Sequence, residues 1–134
     1  MKRSGALFIV LLLLLAACSG CGANGAKADP AVVALVKEKG IVLEMCPTSN
    51  RQTHAVEDMS AYPFMDYLNG GVKVTLNTDD MGIEGTTLAD EFRYMEENFG
   101  LTAAQEKQLL ANAVDAAFTT EEVKNQLREQ LDLK

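Results

Sequence analysis

Two short apolar runs limit what this chain can fold into. They are Ile41-Val-Leu-Glu-Met-Cys46 and Val72-Lys-Val-Thr-Leu-Asn77. Each is mostly apolar and partly β-branched. Gly40 and Pro47 bound the first, and Gly70-Gly71 precede the second. Runs of this length and composition read as buried β-strands. A helical segment lies between them, opened by Pro63 over Phe-Met-Asp-Tyr-Leu-Asn69. Strands that alternate with helices pair in parallel through right-handed crossovers, which places the chain in the α/β class.

The remaining punctuation is helical. Asp29 can cap a helix with Pro30 at its first position, and Gly40 stops it. Residues 47–61 are polar and read as a long loop. Thr87-x-x-Asp90 resembles a capping box for a helix reaching Asn98 and stopped at Gly100. Thr102-x-x-Gln105 and Thr119-x-x-Glu122 have the same spacing and open helices through Ala117 and about Leu131. Leu88, Phe92, Met95 and Phe99 recur at helical steps, as a core-facing stripe does. The reading is two strands and five helices. Two parallel strands leave edges and much of a face uncovered, so the arrangement looks like the end of a larger sheet and predicts self-association.

The N-terminal residues have a different character. Met1-Lys2-Arg3 is a basic head, followed by an unbroken apolar run from Ala6 to Ala17. That run matches a signal-peptide core, is too short to span a bilayer stably, and lacks the polar face of a globular helix. Leu15-Ala16-Ala17-Cys18-Ser19 resembles a bacterial lipobox, which implies lipidation of Cys18 and export to an outer membrane or cell surface. An ordinary signal cut near Ser19 or Ala23 is the alternative. The expected organisation is a signal peptide at 1–17, a small-residue flexible tether at 18–28, and a folded part at 29–134.

Charge narrows the partners. The full sequence carries 12 basic and 19 acidic residues, net −7. Cleavage before Cys18 removes Lys2 and Arg3 and no acid, which leaves the chain more acidic still. Such a balance argues against nucleic acid and against membrane attachment by charge; attachment would come from lipid on Cys18. Cys21 lies in the tether and Cys46 is expected as a buried thiol. A disulfide between them is open in an oxidising compartment, although the spacing does not favour it. No Cys-x-x-Cys pattern occurs, and His54 reads as an exposed loop residue.

The second strand ends in two adjacent acids, Asp79 and Asp80, and strand carboxyl ends are where α/β barrels keep their chemistry. By themselves such acids more often cap a following helix or face solvent. They sit, however, within a longer pattern. It includes Gly40-Ile41-x-Leu43-Glu44-x-Cys46-Pro47-Thr48-Ser49-Asn50 and Gly71-Val72-x-Val74-Thr75-Leu76-Asn77-Thr78-Asp79-Asp80. Gly85-Thr86-Thr87-Leu88-x-Asp90-Glu91, Phe99-Gly100-Leu101 and Asn112-Ala113-x-x-Ala116-x-Phe118 continue it. The whole resembles the adenosine deaminase family of zinc hydrolases across most of residues 29–134.

That resemblance implies the C-terminal fragment of a (β/α)8 TIM barrel: the last two strands and the helices after them. It implies zinc-dependent hydrolysis of the 6-amino group of adenosine or a related aminopurine. Asp79 matches the family's zinc-binding aspartate, which also contacts the attacking water. Asp80 matches the neighbouring carboxyl that meets the purine at N7 in its protonated form. A carboxylate suits zinc, zinc lowers the pKa of bound water, and paired acids let one hold a proton.

The departures are as informative. The family's other donors are a His-x-His, a further histidine and a His-x-x-Glu, and this sequence has a single histidine in a different place. Met81 stands where proline is common. A catalytic zinc needs about three protein ligands, so the expectation is a truncated deaminase, without stable zinc and inactive as a lone chain. Two further readings are one half of a split deaminase and a lipid-anchored, non-catalytic binding or structural protein.

Overall fold

The computed structural model describes residues 28–133. The signal segment, Cys18, Cys21 and the tether as far as Lys27 lie outside the described residues.

Helix α1 spans Pro30–Lys39. Asp29 accepts the Ala31 amide at 2.8 Å, and Gly40 ends the helix at φ 63°. A left-handed exit of this kind suits glycine, which has no Cβ to clash. The chain then enters β1, Val42–Met45, whose parallel partner is β2, Lys73–Leu76. Leu43 faces Val74 in register and Met45 faces Leu76. These four side chains are buried, whereas Glu44 and Lys73 are exposed on the alternate face. The period-two alternation directs the apolar set toward the helices. Among the described residues the sheet has two strands, so each carries an unpaired edge.

The crossover corrects one expectation. Residues 47–61 hold helix α2, Pro47–Gln52, and a 3-10 turn at Met59–Ala61. Pro-Thr-Ser-Asn reads as loop because these side chains favour turns. Here Pro47, Ser49 and Asn50 are buried, and their partners come from distant segments. Helix α3, Phe64–Asn69, completes the crossover, and Lys37 reaches from α1 to the Gly70 carbonyl at 2.6 Å.

After β2 come α4 (Met81–Glu84), α5 (Leu88–Phe99), α6 (Ala103–Ala116) and α7 (Glu121–Gln130). The boxes at Thr87/Asp90 and Thr102/Gln105 form as expected, each with both reciprocal bonds. The third box does not form, and the cap sits one residue later. Thr120 caps α7 by accepting from Val123, while the Thr119 amide is used in the turn out of α6 on Ala117. Thr-Thr-Glu-Glu offers two capping registers, and the exit turn selects the second.

The core centres on Phe64, Val74, Met95 and Leu109, with Tyr62 edge-on to Phe99 at 6.0 Å between centroids. The expected α5 stripe is rotated. Met95 is buried and Phe92 and Phe99 are half-buried, but Leu88 is 44% exposed and Glu91 is fully buried. Leu88 opens the helix beyond the packed surface, and Glu91 takes the inward position one turn before Met95.

Candidate active site

The carboxyl ends of β1 and β2 lie side by side, with Asn77 donating its amide to the Met45 carbonyl at 3.0 Å. The segments that leave them, Cys46 into α2 and Asn77 through Asp80, therefore share one end of the sheet.

Asp79 has a left-handed backbone, φ 61°. Aspartate tolerates this region better than most side chains. The turn exposes its carboxylate and brings Oδ2 to the Ser49 hydroxyl, which donates at 2.8 Å. Ser49 is itself 4% exposed and projects from α2, so the strand-end acid is tied to the helix after the neighbouring strand. The Cys46 thiol lies within reach of the Asp79 charge. Burial first, then the Asp79 charge, pushes that thiol up to about 11. Cys46 is thus a protonated thiol at neutral pH. It is half-buried and free, where a buried thiol was expected.

Asp80 takes a different course. Its Oδ1 accepts from the Gly82 and Ile83 amides at 2.9 and 3.0 Å, which makes it the cap of α4. The capping role, which adjacent acids commonly have, is therefore present here, and Oδ2 is left outside it. Gln52 donates to the Glu84 carbonyl at 2.8 Å, which ties α2 to α4. The two acids are adjacent in sequence but engage different elements.

His54 lies past the end of α2, exposed, with Nδ1 3.8 Å from Glu57. Among the described residues no group of three or more His, Cys, Asp or Glu is placed to hold a metal. The donor set at Asp79 does not by itself fit zinc: one carboxylate, beside a protonated thiol.

Sequence reasoning missed Ser49 and Glu91. Ser49 carried a usable signal, since it lies within a turn of the strand end at Met45. Glu91 carried one too, at the helical step before Met95. Its carboxylate accepts from the Thr86 hydroxyl at 2.8 Å and the Thr48 amide at 3.2 Å.

Comparison with known proteins places the chain in a family. The family model for adenosine deaminase matches residues 12–134. The chain belongs to the adenosine deaminase family. An adenosine deaminase of Clostridium botulinum (strain Okra / Type B1) is 49% identical over 94 residues, covering 70% of this chain and 28% of that relative. One from Enterococcus faecalis is 40% identical over 106 residues, covering 79% of this chain and 32% of the relative. The chain thus spans less than a third of the length of these relatives. Among solved structures, the N6-methyl-AMP deaminase of Arabidopsis thaliana superposes with a TM-score of 0.71 at 32% identity, covering 78% of this chain and 31% of that one. An adenine deaminase from Arthrobacter aurescens gives 0.74 at 25% identity, covering 78% and 32%. These neighbours are TIM-barrel deaminases. The described residues take the fold of the barrel's C-terminal portion: the five expected helices and two parallel strands, with α2 and α4 in addition.

Proposed function

We propose that residues 29–134 provide the carboxylate side of a zinc-dependent aminopurine deaminase centre. The substrate class is adenosine or a related aminopurine nucleoside or nucleotide, whose 6-amino group is removed by water. The observation that carries this reading is the Ser49–Asp79 bond at the strand ends, 2.8 Å. It presents an exposed carboxylate from a fixed position within a deaminase fold. Related Arabidopsis proteins are complexed with IMP and GMP, which supports a purine ligand.

In this reading Asp79 is a zinc ligand and Asp80 meets the purine at N7. Asp80 can keep its two cap bonds through Oδ1 and leave Oδ2 to face the ring nitrogen. The remaining metal donors are histidines that this sequence does not contain, so no reaction step is assigned to the chain alone. A specific observation favours completion by other strands: the two-stranded sheet has unpaired edges beside the acid pair. A second polypeptide bearing the histidines fits there, as do further barrel strands of a longer polypeptide. Cys18, if lipidated, would hold such an assembly at a bacterial membrane, and the uncovered sheet favours self-association until a partner binds.

The test is metal analysis and adenosine turnover on the purified full chain. Substoichiometric zinc and no inosine are expected. One zinc per chain, with turnover lost in Asp79→Ala, would overturn the reading that donors must come from elsewhere.

A further inference from the structure

We infer that Glu91 is a positioning residue: a remote cap that holds α2, and with it Ser49, against Asp79. The inference rests on the reading of Asp79 as the site carboxylate for its functional meaning, but the linkage is a property of the fold.

Helix α2 cannot cap itself. Its N-cap residue, Cys46, makes no side-chain cap bond, and Pro47 has no amide hydrogen to offer. Thr48 is the first residue of α2 with an amide to satisfy. A buried amide without an acceptor costs free energy, which is why helix starts favour short polar side chains. Here the acceptor arrives from 43 residues away, as Glu91 Oε2 at 3.2 Å.

The acceptor is well fixed. Glu91 is 0% exposed in the first turn of α5, where the helix N-terminus favours a negative charge. Its other oxygen takes the buried Thr86 hydroxyl at 2.8 Å. A buried carboxylate persists only when its oxygens are hydrogen-bonded, and both are. The residue after Thr48 is Ser49, whose hydroxyl holds Asp79 at 2.8 Å. A continuous path therefore runs from Thr86 through Glu91, Thr48 and Ser49 to Asp79. The start of α5 and the end of β2 set the acid's position together.

The test uses the metal-free, isotopically labelled full chain and needs neither zinc nor turnover, so it stands or falls separately from the deaminase reading. In Glu91→Leu both acceptor oxygens are lost and an apolar side chain fills the buried position, so neither the Thr48 amide nor the Thr86 hydroxyl keeps its partner. Hydrogen exchange at the Asn50 and Thr53 amides, which bond within α2, should speed up by about tenfold relative to Leu109 in α6, the scale of a lost cap. The Asp79 carboxyl-carbon resonance should move toward its position in Ser49→Ala. Thr86→Val, which removes one donor and keeps the branched shape, should do the same more weakly, and it decides the matter if Glu91→Leu does not fold. Unchanged exchange at Asn50 and Thr53, or an increase shared equally by Leu109 with a stationary Asp79 resonance, would overturn the inference.

Discussion

Helices α5 and α6 and the strand-end segments Cys46–Gln52 and Asn77–Glu84 are built in opposite ways. Each of the two helices begins with a capping box closed within four residues. The Thr87 amide donates to Asp90 at 3.0 Å, and the Thr102 amide to Gln105 at 2.9 Å. The strand-end segments add to the local Asp80 cap of α4 a set of bonds that span 30 residues or more: Ser49 to Asp79, Gln52 to Glu84, Thr48 to Glu91. The helices could form their starts with no help from the rest of the molecule. The acid loop holds its shape only once both strands, α2 and α5 are in place. Scaffold is specified locally, and the candidate site is a product of the finished fold.

The largest expected effect falls on the scaffold. Met95 is 0% exposed in the middle of α5. Met95→Ala should cost about 2–5 kcal/mol, the range for emptying a filled core position, read as a drop in the urea midpoint. A loss below about 1 kcal/mol would mean that α5 is not packed as described.

Ser49→Ala should be milder and local. The Asp79 carboxylate is exposed and water can replace the hydroxyl, so a loss of about 1 kcal/mol is expected. Amide shift changes should be confined to residues 46–50 and 77–80. Changes spread through α5 and α6 would contradict the division between scaffold and site.

The smallest effect concerns a local box. Thr87 holds the Asp90 carboxyl below its usual pKa by hydrogen bonding, chiefly from its hydroxyl and next from its amide. A depressed carboxyl contributes stability above its ordinary pKa of 3.8 and loses it as pH falls through the folded value. Thr87→Ala should move the Asp90 titration upward, as read by carboxyl-carbon NMR, with a cap loss of about 1 kcal/mol. An unmoved titration would show that the box does not form in solution.

The same division explains what the sequence made legible. The caps at Asp29, Thr87 and Thr102, the glycine stops and the two strands rest on patterns a few residues long, and all can be read directly. Helix α2 could not be read that way, because Pro-Thr-Ser-Asn has the composition of a loop and owes its burial to Tyr62, Asp79 and Glu91. Asn50, for example, donates to the buried Tyr62 hydroxyl at 3.0 Å, a partner that no local rule supplies. Leu88 fell outside the expected stripe and Glu91 was found facing inward, because periodicity gives the spacing of a stripe but not where its first turn meets the packed surface. The acid pair was visible by position and by resemblance, while the opposed uses of the two acids, one tied to Ser49 and one capping α4, were not.

The proposed reading is that residues 29–134 supply the carboxylate side of a deaminase centre whose histidine donors come from elsewhere. A chimera tests it most directly. The 94 residues that match the Clostridium botulinum relative, 28% of that protein, would replace its own segment. The measurement is zinc content and conversion of adenosine to inosine, with and without Asp79→Ala. The account predicts a zinc-loaded, active chimera whose activity disappears with Asp79→Ala. A folded chimera without turnover, or one equally active after Asp79→Ala, would contradict it.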